Sequence, residues 1–299
     1  MVYSPAKHFE FHIDPWISLH HFAFHLAREE AKDLRLMGRV ALTDDDRQAL
    51  SANAGTACAS LFEAYQPYLD SALLFDAETR ALAEALVDGP DALHDARVRD
   101  ALRECMPTYE AIFWPRHRAA AEAMLDRLTS QLEEHEVTMA VNFAAAFEAS
   151  WPDAPIRVDL TPYANWAGAY TDDAPAHITM SSQDKDIAGE FAFEILFHES
   201  GHTGSFAQAV LLATADALES TGLENKRFWH YVLFLVSGEV VFDVLGDPDY
   251  VPFSRATGIT DDKKAKGIYR AMEQTWGAGG TFREKVFRAA EKAMADRDI

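Results

Sequence analysis

The sequence predicts a mainly helical α+β fold, and three observations carry that expectation. Apolar residues recur at helical spacing, between recognisable caps and breaks, through most of residues 1–150. A short tract, about 156–181, instead alternates or carries strand-forming residues bounded by turns. Helical spacing then returns and continues to the C-terminus. Trp151-Pro152-Asp153-Ala154-Pro155 marks the change. The expected organisation is a helical N-terminal part over 1–150 and a second domain over 151–299, with a small β-sheet just before its first long helix.

Taken in order, Asp14 followed by Pro15 supplies an N-cap and a first-turn proline, opening a helix to about residue 38. Thr43, followed by Asp44, Asp45 and Asp46, starts another that reaches about Tyr68. Shorter helices are expected at 77–87 and 91–105, separated by Gly89-Pro90. A longer one runs from 107 to about 134, with Pro115 as a break or a start, and another spans 136–150. Residues Ile156–Leu160, Gly168–Thr171 and His177–Ser181 are strand candidates. Helices follow at about 186–203, 205–219, 225–245, 262–275 and 281–296, the last two separated by Gly277-Ala278-Gly279-Gly280.

His198-Glu199-Ser200-Gly201-His202 is the most informative segment. Histidines four apart on a helix face one point, and this HExxH spacing suits a zinc ion. Glu199, about 100° around the helix, lies beside that point, where a carboxylate can act as a general base. Ile187, Phe191 and Ile195 continue the same stripe toward the N-terminus, so both imidazoles point inward, and Asp184 or Asp186 caps the helix start. Gly201 costs about 1 kcal/mol in a helix relative to Ala, which signals close backbone packing.

The helix over 225–245 is apolar on most sides. Val232, Leu235, Val236, Glu239 and Asp243 share one face. A buried carboxylate needs a cation or a donor, and zinc would supply that partner for Glu239. Asp243, one turn on, would accept the free ring N–H of a ligand histidine. Gly246 and Pro248 then end the helix.

His198-Glu199-x-x-His202 followed by Gly238-Glu239-x-x-x-Asp243 resembles the gluzincin class of zinc metallopeptidases, typified by thermolysin. The resemblance implies a zincin-like catalytic domain, zinc held by His198, His202 and Glu239, Glu199 as general base, and Asp243 supporting a ligand histidine. It covers about 60 residues and does not extend to a GxMEN-type exopeptidase signature. Phe113-Trp114-Pro115-Arg116-His117, His177-Ile178-Thr179 and Trp229-His230 are also similar to a group of bacterial proteins of this type. In gluzincins an edge strand before the motif pairs with an extended substrate. Here that role would fall to His177–Ser181 or its neighbour.

Such chemistry also needs a donor for the developing oxyanion. Tyr250 and His230 are the favoured candidates, with Tyr231 and Tyr269 behind them. His230 precedes Glu239 by nine residues, so on an unbroken helix the two point in opposite directions. His20, His21 and His25 on the first helix, and His117 and His177, read as packing or cleft-lining histidines rather than a second metal site.

With 48% apolar residues in 299, the chain can build one large or two moderate cores. A net charge of −21 argues against nucleic acid and anionic membrane surfaces as partners. Cys58 and Cys105 match no CxxC pattern and read as buried free thiols. No apolar run of about 20 residues suits a bilayer span. The N-terminus lacks the apolar core of a signal peptide, giving a cytoplasmic expectation, or periplasmic or secreted if a leader was removed. The expected function is zinc-dependent hydrolysis of a peptide or small amide. The alternatives are an inactive zinc- or peptide-binding protein, or a zinc hydrolase of a non-peptide amide or ester.

Overall fold

The computed structural model describes residues 2–3, 7–30, 42–54, 58–69, 77–164, 168–173, 175–259 and 263–296. The chain divides into two compact units, Met1–Ser130 with Ile156–Ala192, and Gln131–Pro155 with Phe193–Ile299. The division therefore differs from a single boundary near 150. The strands lie in the first unit, and the HExxH segment lies in the second.

The first unit carries a five-stranded mixed sheet. Its strands are β1 (Val2–Tyr3), β2 (Phe9–His12), β3 (Ile156–Thr161), β4 (Ala169–Asp173) and β5 (Ala176–Ser181), in the order β1-β2-β3-β5-β4. β2, β3 and β5 run parallel, while β1 and β4 pair antiparallel at the edges. The register makes the sheet two-faced. Phe9, Phe11, Ile156, Val158, Leu160, Ile178 and Met180 share one face. Arg157 and Asp159, His177 and Thr179, and Tyr170 and Asp172 share the other. Both faces are buried apart from a half-buried Arg157, so the polar face has to satisfy itself. His177 Nε2 and Arg157 Nε each lie 2.6 Å from Asp159 Oδ2.

β5 sits inside the sheet with a strand on each side. Of the two expected substrate strands, His177–Ser181 is excluded because its backbone groups are already paired, and its neighbour β4 is an edge. β1 and β2 are a second departure, since no strand was expected before Asp14. Phe9-Glu10-Phe11-His12 does alternate, but it is too short to stand out alone.

Helices α1 (Pro15–Glu30), α2 (Asp44–Ala49), α3 (Ala59–Tyr65), α4 (Ala77–Val87) and α5 (Ala96–Ile112) complete this unit, with the first half of α6 (Trp114–Phe147). Asp14 caps α1, its carboxylate accepting from Trp16 N and Ile17 N. The expected end near 38 lies outside the described residues. The helix expected from Thr43 to Tyr68 is broken into α2, a π-turn at Leu50–Ala54, α3 and a 3₁₀ turn at Gln66–Tyr68. Pro67, lacking an N–H, suits that last tightening. Pro107 lies inside α5 on its exposed side, where water can serve the carbonyl it leaves unpaired. No Gly or Pro follows Pro115 before residue 147, so α6 runs through the break expected near 135. Ile17, Phe22, Leu61, Tyr65, Leu102 and Tyr109 form the core here.

In the second unit the rest of α6 joins α8 (Ala192–Ser200), α9 (Gly204–Thr221), α10 (Phe228–Leu245), α11 (Phe253–Ala256), α12 (Lys263–Trp276) and α13 (Phe282–Ala295). A short α7 (Lys185–Ala188) belongs to the first unit. Phe143, Phe147, Trp151, Phe197, Phe206 and Phe282 interlock, with neighbouring ring centroids between 4.8 and 5.9 Å. α13 opens on a capping box between Thr281 and Glu284. α10 is long and apolar enough to cross a membrane by those two criteria, and most of it is buried inside the protein.

Candidate metal centre

The helix expected over 186–203 is two helices with a tightened end. Asp184 caps α7, accepting from Asp186 N at 3.0 Å, and Gly189 then leaves helical geometry at ψ −141°. α8 ends at Ser200, inside the motif. His202 N donates to Glu199 O and Thr203 N to Ser200 O, both at 3.0 Å, so the last turn closes with i→i+3 bonds. His202 nevertheless turns back to His198, with 3.4 Å between their Nε2 atoms.

Gly201 shows why this end packs so closely. A Cβ there would overlap the Leu233 side chain of α10 and come within 3.1 Å of His198 O. The absent side chain lets α10 press against the end of α8. That contact brings His230, in the first turn of α10, to the motif: its Nε2 lies 3.2 Å from His198 Nε2. Ring centroids stand 5.1, 5.1 and 5.3 Å apart for the three pairs, a near-equilateral triangle. Tetrahedral zinc with Zn–N of 2.0–2.1 Å sets its ligand nitrogens about 3.3 Å apart. The two measured separations lie on either side of that value.

Electrostatics agree with the geometry. Burial holds His202 down to about 3 and His230 down to about 4, and His198 well below the usual histidine range. The neighbouring imidazoles push His198 and His202 the same way. All three rings are therefore neutral at pH 7 and can offer lone pairs. A shared proton satisfies at most one pair of facing nitrogens, whereas a cation satisfies all three. Among the described residues this is the only group of three His, Cys, Asp or Glu side chains close enough for a metal. The rings are set in aromatic packing: Phe234 stacks on His198 at 3.8 Å, and Trp229 stacks on His230 at 4.9 Å.

Glu239 and Asp243 are not part of this group. α10 is unbroken, so Glu239, nine residues past His230, faces the opposite side. It is half-buried, and the charges acting on it are Arg255, Asp243, Glu273 and Lys285. Asp243 is exposed, and His198 Nδ1 has no hydrogen-bond partner, so the expected support of a ligand ring by Asp243 is also corrected. With Glu239 as a ligand, the helical phase turns His230 away from the ion and leaves it only as an oxyanion-donor candidate; with His230 in the cluster, the same phase turns Glu239 away.

Tyr250 is engaged elsewhere. Its hydroxyl donates to Glu194 Oε2 at 2.6 Å, and Phe253 N donates to the same oxygen at 2.8 Å. Glu194 lies one turn before His198 on α8, and burial lifts its carboxyl to about 7. Gly238 makes room for it, since a Cβ there would come within 3.0 Å of Glu194 Oε1 and 2.8 Å of Pro252 Cβ. Glu194 thus ties the helix carrying His198 to the segment following the helix that carries His230. Sequence reasoning missed it because a single acidic residue on an apolar helix has no motif of its own. Tyr231 and Tyr269 pack against each other at 5.6 Å. Glu199 is buried, 7% exposed, next to His198.

The first-unit histidines singled out from the sequence each have a partner, although His20 Nε2 has none. His20 pairs with Tyr65 at 2.7 Å, His21 with Ile17 O and Tyr170 at 2.8 Å, and His25 with Ala164 O at 2.7 Å. His117 lies between Tyr109 and Asp46, and His177 lies on Asp159. No protein-family model matches the chain, and no curated protein or solved structure matches it either.

Proposed function

We propose that this protein is a zinc-dependent hydrolase acting on a peptide or small amide, with its ion held by His198, His202 and His230; it shares the HExxH segment of the gluzincins but has a histidine where they have the third-ligand glutamate. The observation that carries the reading is the convergence of three neutral Nε2 atoms around an HExxH segment. The donor set is nitrogen-only and spaced for a tetrahedral ion, which suits zinc. When bound, zinc supplies Lewis acidity, making water a nucleophile at neutral pH and polarising a carbonyl. Glu199, adjacent to His198, takes the proton of the attacking water and returns it to the leaving amine. His198, His202 and His230, all neutral, would hold a bound ion without offsetting its charge.

Metal analysis with a casein or generic peptide assay tests this reading. Glu199→Gln preserves side-chain size and every proposed ligand, so zinc content stays at one per chain while hydrolysis falls by about 10²–10⁴-fold. Unchanged hydrolysis in that variant refutes the role of Glu199. A metal-loaded protein that hydrolyses no amide or ester substrate refutes the enzyme reading in favour of a binding protein.

A further inference from the structure

We propose that Cys58 and Cys105 form a reversible disulfide that fastens α3 to α5, independently of the metal centre. The chain has two cysteines in 299 residues, 47 positions apart, and they meet sulfur to sulfur at 2.7 Å. Cys58 is the residue before α3, and Cys105 lies on the buried face of α5. Both are fully buried in the core formed by Leu61, Tyr65, Leu102 and Tyr109. Packing alone asks only for small apolar side chains at such positions, and gives the two sulfurs no reason to face each other. A disulfide has S–S of 2.03–2.05 Å, so closing the bond needs a shift of about 0.7 Å. Either thiol can donate to the other, so either sulfur can be oxidised first with the other resolving.

With hydrogen peroxide as oxidant the balance is complete. One sulfur, Cys58 for instance, attacks one peroxide oxygen, the O–O bond breaks, and a sulfenic acid and one water result. The Cys105 sulfur then attacks the sulfenic sulfur, the S–O bond breaks, and its hydroxyl leaves with the Cys105 proton as a second water. Two thiols and one peroxide thus become one disulfide and two waters.

The test uses the full-length protein without substitution. It is treated with peroxide, then denatured and alkylated with iodoacetamide, and its intact mass is measured. The expected product is 2 Da lighter than the reduced chain and carries no alkyl group, and reductant restores two alkylation sites. Its thermal midpoint rises by roughly 5–10 °C over the reduced form, because the bridge restricts the unfolded chain. Zinc content is unchanged. Recovery of two alkylated thiols after peroxide, or oxidation of one sulfur to sulfinic acid with the other still alkylated, overturns the proposal. Cys105→Ala provides the control: it blocks the 2 Da loss and leaves Cys58 open to progressive oxidation.

Discussion

Buried histidines occur in both units, and their partners differ. In the first unit each buried ring is matched to something other than a histidine: Tyr65 for His20, Tyr170 for His21, Ala164 O for His25, Asp46 for His117, Asp159 for His177. In the second, His198, His202 and His230 face one another through Nε2. His198 is as buried as the first-unit rings, while His202 and His230 are half-buried, so burial alone does not mark a functional histidine. What separates them is the kind of partner: each of these first-unit rings has a non-histidine partner on at least one nitrogen, although His20 Nε2 has none, while the second-unit rings meet one another. A matched ring is a polar piece of core. Three rings that meet through Nε2 form a group whose spacing could hold a metal ion.

The largest effect expected in breaking this contrast is on the first unit. Asp46 is fully buried and receives Tyr163, Arg116 and His117 together. Those donors hold its carboxyl well below the usual range against the opposing effect of burial. Asp46→Ala leaves them buried without an acceptor and should cost about 3–5 kcal/mol in urea unfolding, with metal binding by the folded protein unaffected.

His21 gives the next effect, in pH. Burial holds its pKa near 4, while the unfolded chain protonates histidine near 6.5. The folded pKa is depressed, so its neutral-state stability is present above about 6.5. It is lost as pH falls from there toward about 4. The full swing is about 3 kcal/mol, and His21→Gln should lessen the slope of stability over that window by this one group's share, the other depressed histidines keeping theirs.

Glu194 sharpens the contrast from the other side. Glu194→Ala removes the acceptor shared by Tyr250 and Phe253 N, loosening the link between the segments that carry His198 and His230. Zinc affinity should fall about 10–100-fold, the usual weight of a residue that orients a ligand through its support. The smallest effect is Asp243→Asn, which should leave zinc affinity unchanged because Asp243 is exposed and away from the cluster.

Much of this was legible in the sequence. Asp14, Thr43 and Asp184 announced helix starts through local hydrogen bonding, and Gly201 announced a tight contact that Leu233 fills. His198 and His202 were legible because their spacing is short and periodic. The third member of the cluster was not: the sequence pointed to Glu239, with His230 only as an oxyanion donor, and the rotation of α10 decides which of the two faces His198 and His202. That rotation is set by Gly201 against Leu233 and by Gly238 against Glu194 and Pro252, contacts between distant residues with no local pattern. The sheet was misplaced for a related reason. Its N-terminal strand β2 pairs with β3 across nearly 150 residues, which no window of sequence shows.

The direct measurement of the central claim is the zinc content of two variants, His230→Ala and Glu239→Ala, purified alongside the parent protein and dialysed against a mild chelator. The arrangement of His198, His202 and His230 predicts that His230→Ala loses its zinc while Glu239→Ala keeps one ion per chain. Retention by His230→Ala, with loss from Glu239→Ala, would contradict it and return the third ligand to the carboxylate.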